Sequence, residues 1–68
     1  MKLYFRSSNG NERIIAEPKD EQEAWKEIHK FCSDRNFKIH YVRQWQESNR
    51  RWYDCGSWSE FFVLDLAE

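Results

Sequence analysis

Glycine, proline and cysteine are scarce: the 68 residues hold two, one and two of them. So little Gly and Pro leaves no flexible linker, no low-complexity tract and no Gly-rich loop to cradle phosphate. Two cysteines are too few for the framework of a disulfide-stapled mini-protein. No Cys-x-x-Cys or His-x-x-x-His spacing occurs, so no metal site and no cofactor are expected. Long apolar runs are missing as well: the longest is Phe61-Phe62-Val63-Leu64, against the about 20 residues of a membrane span. The first residues, Met1-Lys2-Leu3-Tyr4-Phe5, carry neither a secretory apolar core nor the glycine that myristoylation needs. No membrane partner and a cytoplasmic location are therefore expected, with Cys32 and Cys55 as free thiols. Export would instead permit one helix-to-sheet disulfide between them.

Rings and charges are abundant. Aromatic residues make up 18% of the chain and charged ones 34%, a mixture that collapses rather than staying disordered. The length supports one core, hence a single domain over residues 1–68. The net charge of -1 conceals a division: residues 1–11 sum to +2, 12–27 to -3, 35–53 to +4 and 54–68 to -4. Opposed basic and acidic regions favour oriented association with a partner over bulk attraction to phosphate or lipid.

The pattern predicts the order β-β-α-β-β-β. Asn9-Gly10 marks a two-residue hairpin turn pairing Leu3 with Ala16, Phe5 with Ile14 and Arg6 with Arg13. Leu3, Phe5, Ile14 and Ala16 then form the core face. Asp20, with Glu23 three residues on, reads as a helix cap, and Ala24, Trp25, Ile28, Phe31 and Cys32 recur as one apolar stripe. Asn36 suits the left-handed stop. Residues 37–47 alternate as a strand. A turn at Ser48-Asn49 pairs Glu47 with Arg50, Trp45 with Trp52, Arg43 with Asp54 and Tyr41 with Gly56. The last strand, within Glu60–Leu66, is apolar on both faces, and a central or interface position fits it better than a free edge. The expected fold class is α+β, an antiparallel sheet with one helix packed on one face. A single helix shields one side only.

The uncovered side supplies the functional expectation. Tyr4, Trp45, Trp52, Tyr53 and Trp58 are the candidate partner-binding residues, since Trp, Tyr and Arg dominate protein-binding hot spots. The alternative is a single-strand nucleic-acid platform in the 38–53 region, using Lys38, Arg43, Arg50 and Arg51 between the rings. A sequence pI near 6.1 and the acidic partners of Arg43 and Arg50 weigh against it. Catalysis is not expected. Cys55 and His40 could approach each other, but Asp54 projects from the opposite face and cannot orient the imidazole.

The run Trp52-Tyr53-Asp54-Cys55-Gly56-Ser57-Trp58-Ser59-Glu60-Phe61-Phe62 resembles the closing segment of small uncharacterised proteins of phages and prophages of Firmicutes. The resemblance implies a setting rather than an activity: a cytoplasmic protein made during infection or carried in a prophage. The expected function is a non-catalytic protein-binding module, a phage accessory or host-interaction factor acting through the aromatic sheet face, with a homodimer as one form of the partner.

Overall fold

Five antiparallel strands and one helix follow one another in a computed structural model that describes residues 1–39, 42–56 and 59–67. Strands β1 (Lys2–Arg6) and β2 (Glu12–Ala16) precede helix α1 (Glu21–Asp34); β3 (Arg43–Glu47), β4 (Arg50–Asp54) and β5 (Phe61–Asp65) follow it. The sheet order is β2-β1-β5-β4-β3, so the doubly apolar β5 lies at the centre, hydrogen-bonded to β1 and β4. The α+β class and the element order agree with the sequence pattern.

The helix begins and ends where its sequence directs. The Asp20 carboxylate accepts from the Glu23 backbone N–H at 2.8 Å, and Glu21 and Glu23 place negative charge at the positive end of the helix dipole. At the other end Asn36 takes φ 57°, while Phe37 N–H donates to Cys32 O at 2.8 Å and Asn36 N–H to Ser33 O at 3.2 Å, the paired bonds of a Schellman stop. Fourteen residues make a rod about 21 Å long, enough to cross the sheet's four strand spacings of about 19 Å. The first turns lie over β4, where Glu21 pairs with Arg51 at 2.9 Å and Trp25 meets Tyr53 edge-on at 4.9 Å. The later turns lie over β1 and β5, with Phe31 4.8 Å from Phe5 and 5.5 Å from Phe62. Between them Leu3, Ala24, Ile28, Cys32 and Leu64 complete the core.

The second hairpin has the expected register over its described part: Arg43 opposite Asp54, Trp45 opposite Trp52, Glu47 opposite Arg50. The turn residue Ser48 takes positive φ, 56°. Tyr41, assigned to Gly56 by the same register, lies outside the described residues, and β3 is shorter than the alternating run that suggested it.

The first hairpin differs from expectation. Only Gly10 takes positive φ (87°); Gly10 N–H donates to Ser7 O and Ser7 N–H to Asn11 O, giving a three-residue loop of Ser8, Asn9 and Gly10. The Asn9 side chain accepts from Asn11 N–H and from the Ser7 hydroxyl, which tightens that loop. The longer loop shifts the register by one residue, so Arg6 faces Glu12, Phe5 faces Arg13 and Tyr4 faces Ile14. An irregularity between Leu3 and Tyr4 then restores Leu3 to Ala16. The slip turns Ile14 out of the core onto the opposite face, where it is 51% exposed. It also replaces the unfavourable Arg6–Arg13 pair by an Arg6–Glu12 ion pair at 2.8 Å. Arg13 extends instead toward Phe31, its guanidinium 6.0 Å from the ring centroid.

Candidate functional site

Strand alternation puts Lys2, Tyr4 and Arg6 of β1, Glu12 and Ile14 of β2, and Arg43, Trp45 and Glu47 of β3 on the face opposite the helix. Arg50, Trp52 and Asp54 of β4 and Phe61, Val63 and Asp65 of β5 complete it. The aromatic nucleus is Trp45, Trp52 and Phe61. The two indoles stack at 6.0 Å and 10°, and Phe61 stands edge-on to both, 5.9 Å from Trp45 and 6.0 Å from Trp52.

Arginines lie along the rings: Arg6 5.4 Å from Trp52, Arg43 5.2 Å from Trp45 and Arg50 5.4 Å from Tyr4. Each also has a carboxylate. Glu12 accepts from both Arg6 (2.8 Å) and Arg50 (3.1 Å), and Asp54 accepts from Arg43 at 3.2 Å. Asp54 is almost completely buried, and its second oxygen accepts from Gly56 N–H at 3.0 Å, closing a tight bend after β4. Gly56, at φ 103°, supplies the left-handed conformation that the bend requires. Val63 is fully buried although it lies on this side of the sheet, between Tyr4 and Trp52 on the flanking strands. The layer is thus a woven one, with ring bodies and arginine stems covering apolar surface while charged heads reach outward.

Of the candidate partner-binding residues, Tyr4, Trp45 and Trp52 share this face and are half-buried rather than freely exposed. Tyr53 does not belong to it. One position along β4, its side chain points to the helix, is fully buried and lies under Trp25. Burial and the nearby Glu21 charge push its phenol upward, against a smaller opposite effect of Arg51. The Arg51 guanidinium is close enough to exert that effect, yet the hydroxyl has no partner in hydrogen-bond geometry among the described residues. Trp58 lies outside the described residues. Ile14 and Phe61 are the additions to the face: the register slip exposes Ile14, and alternation along β5 places Phe61 beside the two indoles.

The basic residues do not form one stripe. Arg43 and Arg50 lie on the woven face, Arg51 lies on the helix side paired with Glu21, and Lys38 follows the helix outside the sheet. On the woven face Lys2, Arg6, Arg43 and Arg50 are matched by Glu12, Glu47, Asp54 and Asp65. A single-strand nucleic-acid groove needs a sustained positive track, and this arrangement does not supply it.

Cys55 and Cys32 are free thiols at the end of the helix-side core. Burial, with the neighbouring Cys32 and Asp54, pushes the Cys55 thiol up to about 11, and burial also raises that of Cys32. Such thiols are protonated near neutrality, the reverse of an activated nucleophile. His40 lies outside the described residues. No cluster of three or more metal-ligating side chains occurs among the described residues, and no described helix is long and apolar enough to cross a membrane. Compared with protein-family models, with curated proteins and with solved structures, the chain finds no match.

Proposed function

We propose that the protein is a non-catalytic protein-binding module whose working surface is the woven sheet face. The observation that carries this reading is the Trp45–Trp52–Phe61 cluster, flanked by Tyr4 and the exposed Ile14, on the side of the sheet that the helix leaves uncovered. Rigid rings bury much area on association at little conformational cost, and arginines laid against them are already oriented for a partner's carboxylates or carbonyls. Balanced charge on this face favours a protein surface with its own mixture of signs over a polyanion. The Trp52 indole N–H is a buried donor without an acceptor among the described residues.

The phage-like closing segment gives the module its proposed setting, an accessory factor that occupies a bacterial protein in the cytoplasm or pairs with a second copy of itself. Native mass spectrometry of the protein alone tests for the homodimer. Affinity capture from bacterial lysate, run in parallel with the wild-type chain and Trp45→Ala, tests for the host protein. The expected result is a dimer or a captured protein with the wild-type chain, lost with the folded variant. A monomer that captures the same proteins with or without Trp45 contradicts the reading, and so does salt-sensitive retention of single-stranded oligonucleotides in place of protein.

A further inference from the structure

The two edges of the sheet, β2 and β3, are not alike. Beside β2 the pairing with β1 is irregular between Leu3 and Tyr4, Pro18 follows two residues after the strand, and Glu12 is committed to Arg6 and Arg50. Irregular pairing and proline are devices that close an edge to further strands. Strand β3 has neither: its pairs with β4 run without a break, and Arg43, Gln44, Gln46 and Glu47 are exposed. The two-residue turn at Ser48-Asn49 makes Glu47 and Arg50 a hydrogen-bonded pair. Alternation then directs the backbone N–H and C=O of Gln44 and Gln46 away from β4, to the open side. An open hollow of about 330 Å³, lined by Arg43, Gln44 and Trp45, lies at the same edge.

The sequence of β3, Arg43-Gln44-Trp45-Gln46-Glu47, is complementary to itself when reversed. Antiparallel pairing about Trp45 sets Arg43 opposite Glu47 of a second copy, Gln44 opposite its Gln46, and Trp45 opposite its equivalent. The hydrogen-bonding phase agrees, because Gln44 and Gln46 are the residues whose amides point outward. The charges are available as well. Arg50, opposite Glu47 on β4, is held by Glu12 at 3.1 Å, and Glu47 makes no hydrogen bond or ion pair among the described residues. The Arg43 side chain touches Asp54 at 3.2 Å yet is 66% exposed, which leaves room for a second carboxylate. The same operation on β2 sets Glu12 opposite Ala16 and makes no charge pair.

We propose that β3 pairs antiparallel with β3 of a second copy about a two-fold axis at Trp45, joining the two sheets edge to edge. The axis runs perpendicular to the sheet, so both woven faces lie on one side and their Trp45–Trp52–Phe61 clusters meet in one row. The inference rests on the homodimer form of the reading above and moves the contact from the woven face to the strand edge. Five residues a side are fewer than the roughly 20–30 of a standard interface, so the dimer is a weak, concentration-dependent one.

Amide hydrogen exchange of the ¹⁵N-labelled protein over a range of concentrations, with sedimentation velocity on the same samples, tests the pairing. The expected result is a dimer that grows with concentration while the Gln44 and Gln46 amides become protected in step. Gln44→Pro removes an outward N–H at an edge position that tolerates proline, and should abolish the dimer in a folded chain. Glu47→Arg sets like charges opposite one another and should weaken dimerisation at least about tenfold at low salt, less as salt is added. A monomer at every concentration overturns the proposal. So does a dimer whose Gln44 and Gln46 amides still exchange freely, or one indifferent to both substitutions. Capture from bacterial lysate separates this failure from that of the woven-face reading. A monomer that captures a protein through Trp45 overturns the edge pairing alone, whereas an edge dimer that captures nothing supports the pairing and counts against the host-protein role.

Discussion

On the helix side of the sheet, Leu3, Phe62 and Leu64 are sealed by Ala24, Ile28 and Phe31, apolar groups fixed on a rigid rod. On the opposite side Val63 is buried as completely, but under indole rings and arginine stems that are themselves half-exposed. The first seal is apolar and non-directional. The second depends on stacking and on carboxylates that hold each guanidinium in place. A sheet with one helix can therefore close both faces, but the face closed by side chains alone remains open to rearrangement and to a partner. That difference is the physical ground for proposing a binding role for the woven face.

Truncation of neighbouring residues on β5 exposes the contrast most strongly. Leu64→Ala, facing the helix, should cost about 2–5 kcal/mol in urea unfolding, because a rigid wall leaves a cavity behind. Val63→Ala, facing the other way, should cost only about 1–2 kcal/mol, near the transfer value of its missing methyls, since the rings above it can settle. Equal losses per methyl group removed would mean that the two faces are equally rigid. Next in size is Asp54→Ala, which removes the buried acceptor of Arg43 and Gly56. An expected loss of about 1–3 kcal/mol, read from the shift in urea midpoint, would show that this bend supports the woven face.

Glu12→Gln removes the carboxylate shared by Arg6 and Arg50. It should lower stability by no more than about 1 kcal/mol, with the difference from wild type shrinking as salt is added. A loss that is indifferent to salt would argue that Glu12 acts through packing. The last test concerns the helix-side thiol. Because the folded protein holds Cys55 near 11 against an ordinary 9.0, its contribution is intact below pH 9 and is lost as pH climbs from 9 toward 11. Unfolding midpoints of the wild type and Cys55→Ser, followed from pH 7 to 11, should differ at neutral pH and draw together as pH passes from 9 toward 11.

How far the fold could be read from the sequence depended on whether local chemistry had one solution. The Asp20 cap, the stripe from Ala24 to Cys32 and the Asn36 stop agree with one another, so the helix was legible residue by residue. Four mutually consistent cross-strand pairs likewise identified the second hairpin's register, and the apolar run in β5 identified its central place. Asn9-Gly10 admits two loops, of two or three residues, and hydrophobicity favoured the one that buried Ile14. The protein adopts the other, which pairs Arg6 with Glu12, turns Arg13 toward Phe31 and leaves Ile14 exposed. The candidate face was legible only to the accuracy of its registers: Tyr4, Trp45 and Trp52 were found and Ile14 was missed. Tyr53 was assigned to the wrong side although alternation along β4 sets it on the face opposite its neighbour Trp52, which is the helix side.

The assignment of binding to the woven face is tested most directly by photo-cross-linking from two exposed positions. p-Benzoylphenylalanine in place of Ile14 samples the woven face, and in place of Gln22 it samples the outer side of the helix. After irradiation in bacterial lysate, position 14 should give discrete protein adducts, including a cross-linked dimer if the partner is a second copy, and Trp45→Ala should abolish them. Adducts of equal yield from both positions, or adducts from position 14 that survive loss of Trp45, would contradict it.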